Sequence, residues 1–291
     1  MYNYNGDFKA KYDEYLSAVQ TALDNAFAGL DCEEKLLSAM KYSVFAGGKR
    51  VRPVLFFAAL DSLDLNYNDF WTFAAAIELI HTYSLIHDDL PAMDNDDYRR
   101  GKLTSHKVFG EDFAILAGDA LLNLAYETAL NAVNDKNTLA AAKTLAEFSG
   151  ARGMVGGQAY DLAQNKTNDE KTLFNIDDLK TGKLLSLPFV MASLIAGGKN
   201  YNEFLNLGKI LGRLFQYTDD VLDVSANFED LGKTPDKDAA QSKVTAVSVF
   251  GLNGAKNMIE ELFTSGVKTL KNIDNNSFFI DFFKYVKDRK N

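Results

Sequence analysis

With 291 residues, 47% of them apolar and 24% charged, the chain has the make-up of a globule able to bury a large core, which excludes a disordered or fibrous protein. A formal net charge of −9 argues against a general surface for nucleic acid or anionic lipid, so any bound anion must be gripped by a local basic cluster or by metal. The single cysteine, Cys32, rules out an intramolecular disulfide and a multi-cysteine zinc site, and suits a reducing, cytoplasmic setting.

No linker or composition shift divides the sequence, so residues 1–291 are expected to form a single domain. Residues 1–8 contain no basic segment leading into an apolar run, and no secretion signal is expected. Apolar residues at Phe8, Tyr12, Tyr15, Leu16, Val19, Leu23 and Phe27 recur at steps of three and four, which predicts a first helix with one buried face. The same spacing predicts helices around 36–44, 70–90, 113–130, 139–148, 184–195, 204–222 and 258–270. Segment 184–195 is shorter than the roughly 20 residues needed to cross a bilayer and contains Pro188, so stable membrane insertion is not expected. Helices such as 70–90 are apolar almost all round, as helices surrounded by others must be. Sustained strand-like alternation is absent, and the expected architecture is an all-α, single-domain helical bundle.

Two acidic constellations end apolar helices. In the first, His87 to Asp97 includes Asp88, Asp89, Asp94, Asp96 and Asp97; in the second, Asp219, Asp220 and Asp223 follow Leu211, Leu214 and Phe215. A solvated acidic helix end is the plain alternative, but carboxylates at a helix C-terminus oppose the macrodipole, which favours cations there. We expect the two clusters to hold divalent metal ions that grip a diphosphate. Asp219 and Asp223, four apart, point the same way on a helix. Asp88 and Asp94, six apart, lie about 240° round an ideal helix and do not share a face. Pro91 removes a backbone donor and crowds the His87 carbonyl, which predicts a break that swings Asp94 back beside Asp88. Oxygen-only ligands without zinc spacings favour magnesium, which takes its remaining ligands from water and phosphate.

Basic residues accompany these clusters. The run Gly47-Gly48-Lys49-Arg50-Val51-Arg52-Pro53 sets two glycines before three cations and a helix start at Pro53, the make-up of a phosphate cradle or, alternatively, of a basic surface turn. Arg99 and Arg100 suit bidentate phosphate contacts, or else neutralise Asp96 and Asp97. Lys180-Thr181-Gly182-Lys183 interrupts an apolar helix, where a lysine seldom lacks a partner. Lys233 and Lys243 follow the second acidic cluster, and either could be a plain surface lysine. His81 lies two turns before Asp88, where a histidine in the core is the ordinary reading. Cys32, His106 and Trp71 give no functional signal.

Taken in order, GGKRVRP, HTYSLIHDDLPAMDNDDYRRGK, AILAGDALL, GMVGGQAYDL, KTGKLL, QYTDDVLDV and LGKTPDKDAAQSKVT resemble the trans-isoprenyl diphosphate synthases, and within them the short-chain bacterial farnesyl diphosphate synthases. The resemblance runs from about residue 36 to the C-terminus. It implies an all-helical fold with a central cavity, the isoprenoid synthase fold, and a homodimer. It also implies about three magnesium ions, with Asp88 and Asp94 binding two, Asp219 a third, and Asp89, Asp220 and Asp223 in support. Lys49, Arg52, His81 and Arg100 would hold the diphosphate of isopentenyl diphosphate. Arg99, Lys180 and Lys233 would hold the allylic diphosphate, with Thr181 and Gln216 at the reacting end and Lys243 as a further candidate. The implied reaction condenses isopentenyl diphosphate with dimethylallyl and geranyl diphosphate to farnesyl diphosphate.

Tyr83, five residues before Asp88, would stop the growing chain near fifteen carbons, unless it is ordinary core and Ser84 leaves room for geranylgeranyl or other products. Leu103 departs from the proline usual after the Arg-Arg-Gly-Lys segment. A terpene cyclase would have no use for Lys49, Arg52 and Arg100, and a non-catalytic subunit on this fold would not need both acidic clusters complete.

Overall fold

Helix α4, Trp71–Asp88, buries nearly every residue from Phe73 to Tyr83, so its surroundings must be other helices. The computed structural model describes residues 6–163, 166–225 and 243–289, and among them the architecture is all-α. Before α4 come α1 (Gly6–Ala26), α2 (Glu34–Val44) and α3 (Val51–Ser62), with a 3₁₀ turn at Tyr67–Phe70. After it, a two-residue hairpin, β1 (Tyr98–Arg99) and β2 (Lys102–Leu103), pairs Tyr98 with Leu103 and Arg99 with Lys102. The chain continues through α5 (Ser105–Phe109), α6 (Glu111–Asn131), α7 (Lys136–Ser149), α8 (Met154–Leu162) and α9 (Glu170–Ile176). A π-helical segment, Asp177–Gly182, then leads into α10 (Lys183–Ile195), followed by α11 (Tyr201–Ser225), α12 (Ala246–Leu270) and α13 (Ser277–Asp288).

Two helices run through the interior. Helix α4 packs along α6, and α10 is enclosed by α3, α7 and α11. Helix α10 continues through Pro188 with Leu184 to Ser193 all buried, so packing outweighs the backbone hydrogen bond that proline removes. The close approach of α11 to this centre depends on glycine. A Cβ at Gly208 would lie 2.4 Å from Ser186 Cα, and one at Gly212 would lie 2.7 Å from Gly182 Cα. Stacked rings join the chain ends, with Tyr12 of α1 on Phe282 of α13 at 6.5 Å and an interplanar angle of 6°.

All the helices expected from periodicity are present. Helices α5, α8, α9 and α13 were not expected: α5, α8 and α9 are too short to show a sustained period, whereas α13 does carry it, burying Phe279, Phe282, Phe283 and Val286 on one face. Among the described residues, α6 is long and apolar enough to span a bilayer by length and composition alone, and 44% of that window is buried inside the protein. Its Ile115, Leu116 and Leu130 remain exposed.

One buried ion pair fixes the start of α3. Arg50 precedes the helix in the left-handed region at φ 47°, and its Nη1 donates to Glu78 Oε1 of α4 at 2.7 Å. The two side chains are 4% and 1% exposed. The helix therefore begins at Val51, two residues before Pro53, and Arg50, the middle cation of GGKRVRP, is structural. Removing one partner of such a pair leaves a buried charge unanswered. Glu78→Ala is expected to lower stability by about 3–5 kcal/mol, read from the urea midpoint, and Glu78→Leu with Arg50→Met should recover much of that loss.

Candidate active site

Helix α4 stops at Asp88, and the chain then doubles back. The Asp89 amide bonds the Leu85 carbonyl at 3.1 Å, the Asp94 amide the Asp88 carbonyl at 2.8 Å, and the Asp96 amide the Asp89 carbonyl at 3.2 Å. Pro91 sits within this turn, and Asn95 takes the left-handed conformation at φ 51°. The carbonyls of the helix end are thus capped by amides of the acidic residues themselves. Burial, with Asp94 beside it, pushes the Asp88 carboxyl up to about 6, although the Lys180 ammonium opposes the shift. Gln158 Nε2 of α8 donates to Asp88 Oδ1 at 2.9 Å.

Asp89 turns the other way. It is buried and accepts from Arg99 Nε at 2.9 and 3.2 Å, while Arg99 Nη2 also reaches Asp96 Oδ2 at 3.4 Å. Burial raises the Asp89 pKa, with Arg99 acting against it. Arg99 thus neutralises Asp89 and Asp96 in this state, whereas Asp97 pairs with Lys107 at 2.8 Å.

Helix α11 runs unbroken through Asp219, Asp220 and Asp223, but the three carboxylates differ in setting. Asp219 is 44% exposed and pairs with Arg289 at 2.8 Å, while Arg289 itself is only 7% exposed. Asp220 is buried, accepting from Gln216 Nε2 at 2.9 Å and from the Ala246 amide at 2.7 Å. It therefore ties α11 to the start of α12. Asp223 is buried as well, so the two carboxylates expected to point the same way differ in exposure.

The π segment carries the next groups. Thr181 Oγ1 donates to Gln216 Oε1 at 3.0 Å, and Lys180 Nζ donates to Asp161 Oδ2 at 2.7 Å. Asp161 also pairs with Lys166 at 3.2 Å. Its burial favours the neutral acid, yet the two ammonium groups prevail and hold its pKa below the ordinary value.

Across the cavity, Gly47 and Gly48 adopt positive φ, and Arg100 Nη1 donates to the Gly47 carbonyl. A Cβ at Gly48 would lie 2.5 Å from Arg100 Cζ, so glycine is needed to admit the guanidinium. Arg52 is pushed down to about 10 by burial, with Arg100 adding to the shift and Glu78 opposing it, and its Nε is buried without a hydrogen-bond partner. His81 is driven well below its ordinary value by burial and by Arg52, Arg100, Arg99 and Arg50, so it is neutral at pH 7. These groups ask for an anion.

A cavity of about 410 Å³ joins some of these parts, whereas Arg100 lines a second pocket and Asp161, Gln216 and Lys243 line a third. Arg52, His81, Asp88 and Lys180 lie on the polar side of the first, and Tyr83, Met154 and Leu184 line its apolar part. Lys243 reaches Asp94 Oδ1 at 3.6 Å. Lys49 stands 5.7 Å from the Tyr285 ring, apart from the cavity lining. Lys233 lies outside the described residues. Sequence reasoning missed Gln158, Asp161 and Arg289. The first two stand in GMVGGQAYDL, whose polar residues at i and i+3 were a usable signal; Arg289 offered none.

The Polyprenyl synthetase family profile matches residues 33–275. The chain belongs to that family. It is 44% identical over 273 residues to the farnesyl diphosphate synthase of Micrococcus luteus, covering 90% of this chain and 92% of that protein. It is also 40% identical over 275 residues to the chloroplastic geranylgeranyl pyrophosphate synthase of Capsicum annuum, covering 92% of this chain and 74% of that protein. The geranyltransferase of Helicobacter pylori complexed with magnesium and isoprenyl diphosphate superposes with a TM-score of 0.83 at 30% identity, covering 98% of each chain. This chain is therefore a trans-prenyltransferase by family, with the all-α fold of those enzymes.

The donor set fits the magnesium that such polyprenyl synthetases use. Among the described residues, no three carboxylate, histidine or cysteine groups converge into a complete metal cage. Magnesium binds through one or two carboxylates and completes its shell with water and phosphate, and Asp88 and Asp94, joined across the turn, supply such carboxylates.

Burial makes the Asp88 carboxyl easier to protonate in the folded protein than in the unfolded chain. Folding favours its protonated form, so without metal, stability is lost as pH climbs from the ordinary value of 3.8 through about 6. Asp88→Asn, which keeps an acceptor for Gln158, should then stabilise the metal-free protein at pH 7.5 by up to about 3 kcal/mol. Melting curves across pH check this, and the advantage should vanish below about pH 4.

Proposed function

We propose that the protein condenses isopentenyl diphosphate with dimethylallyl and then geranyl diphosphate to give farnesyl diphosphate. The observation that carries this reading is the single cavity joining an acidic helix end at Asp88, a cationic side at Arg52 and His81, and an apolar part lined by Tyr83. Asp88, Asp94 and Asp219 would hold magnesium, which when bound supplies Lewis-acid charge withdrawal from the allylic diphosphate worth several kcal/mol.

The chain's own groups do the rest. Lys180 contributes positive charge to the departing diphosphate, while Thr181 and Gln216, bonded to each other at 3.0 Å, direct oxygen dipoles toward the carbon that becomes cationic. Arg52, Arg100 and neutral His81 hold the isopentenyl diphosphate so that its double bond faces that carbon. Lys49, exposed beside them, joins this grip as the substrate arrives. Met154 and Leu184 keep water from the cation. The proton lost after attack passes to the released diphosphate, which suits a site without a dedicated side-chain base. By resemblance, Arg99, Lys233 and Lys243 are assigned to the allylic diphosphate, Arg99 exchanging carboxylate partners for phosphate.

Tyr83 supports fifteen carbons over twenty. Its ring is buried, lines the cavity, and stands about 7.5 Å along the helix from Asp88. The exposed Ile115, Leu116 and Leu130 of α6 support a homodimer that would cover them, and the single cysteine supports a reducing, cytoplasmic setting.

Incubation with magnesium, isopentenyl diphosphate and either allylic primer, followed by mass analysis, should yield farnesyl diphosphate; recovery of primers without an added five-carbon unit would overturn the reading. Asp88→Ala should lower turnover by orders of magnitude with an unchanged circular dichroism spectrum. Tyr83→Ala should shift the product toward twenty carbons or more, and an unaltered product would remove the ring from length control.

A further inference from the structure

Helix α8 touches both the acidic end of α4 and the cationic π segment, through Gln158 and Asp161. Gln158 and Asp161, three apart, leave the same side of the helix. Gln158 Nε2 donates to Asp88 Oδ1 at 2.9 Å, and Asp161 Oδ2 accepts from Lys180 Nζ at 2.7 Å. The helix is held against the π segment at backbone distance, because a Cβ at Gly157 would lie 2.1 Å from the Lys180 nitrogen. One rigid element therefore contacts the side chain of Asp88, the backbone of Lys180, and the side chain of Lys180. Gln158 Oε1, by contrast, is buried without a hydrogen-bond partner. A buried amide oxygen in a cavity wall calls for a donor, and beside a carboxylate that binds a cation the fitting donor is a metal-bound water.

We propose that Gln158 and Asp161 are positioning residues that make α8 a strut, setting the separation between the Asp88 carboxylate and the Lys180 ammonium to the span of a metal-bound diphosphate. Gln158 occupies one oxygen of Asp88, directs the other to the cation, and accepts from the water that the cation carries. Asp161 holds Lys180 extended on the diphosphate side of the cavity. The inference rests on the proposed roles of Asp88 and Lys180.

The test separates it from that reading by measuring binding without turnover. Manganese is titrated into the protein with inorganic pyrophosphate present, and free manganese is followed by electron paramagnetic resonance. Gln158→Met keeps the length of the side chain but neither donates nor accepts as an amide. It should weaken manganese binding by about 10- to 100-fold, with KM for isopentenyl diphosphate unchanged and the thermal melt preserved. Asp161→Asn should raise KM for the allylic diphosphate about tenfold, the effect expected of a lost supporting group, and leave KM for isopentenyl diphosphate near its starting value.

A folded Gln158→Met protein with the parent's manganese affinity would overturn the proposal. So would an Asp161→Asn protein in which both KM values rise together, as general loosening of the fold would produce. If the parent fails to lengthen an allylic primer, the proposed function falls, while a manganese shift in Gln158→Met still supports the strut.

Discussion

Carboxylates brought together out of water must be answered by positive charge, and the polar architecture around the cavity follows from that constraint. Asp88 and Asp94 are joined by a backbone bond across a turn, so their repulsion is built into the chain. Protein cations answer part of it: Arg99 sits on Asp89, Lys243 approaches Asp94, and Arg289 pairs with Asp219. Each contact involves a side chain on a different element from the carboxylate, or separated from it by a turn. On the proposed reading such contacts would be exchanged as metal and phosphate enter, whereas Arg50 with Glu78 is buried on both sides.

The cationic side shows the same incompleteness with the sign reversed. Burial, reinforced by the nearby Arg52 and Arg100, holds the His81 imidazole neutral, and Arg52 Nε is buried without a hydrogen-bond partner. An excess of negative charge over the whole chain does not prevent anion binding here, because the guanidinium groups are concentrated and partly removed from water. A metal-bound diphosphate on one side and a second diphosphate on the other would complete both halves together. That complementarity, more than any one residue, ties the geometry to a reaction between two diphosphate substrates.

Much of this was legible in the sequence because it obeyed local rules. The turn after Asp88 followed from proline chemistry and from six-residue spacing that no straight helix can reconcile, and α4 and α10 announced themselves by being apolar almost all round. The rest depended on distance in the fold. Nothing local marks Arg50 as the structural member of three neighbouring cations; its partner Glu78 is twenty-eight residues away. Arg289 meets Asp219 only because α13 packs across α1 and brings the chain end to α11. The π turn at Asp177–Gly182 was read merely as a polar interruption, since its widening is fixed by close neighbours at Gly157 and Gly212.

Those close approaches bear on how the cavity could limit its product. The Tyr83 ring meets His87 edge-on at 5.8 Å, and His87 Nε2 lies 3.1 Å from the Ile115 carbonyl of α6. Gly118 leaves the room for that imidazole, since a Cβ there would stand 2.1 Å from Nε2. Tyr83 thus packs on His87, which in turn meets the backbone of a neighbouring helix, at the seam of α4 and α6. On the proposed reading, the wall met by a growing chain is as rigid as the packing of two long helices. Product length would then change by removing the ring, while trimming softer neighbours such as Met154 would widen the cavity without moving its end.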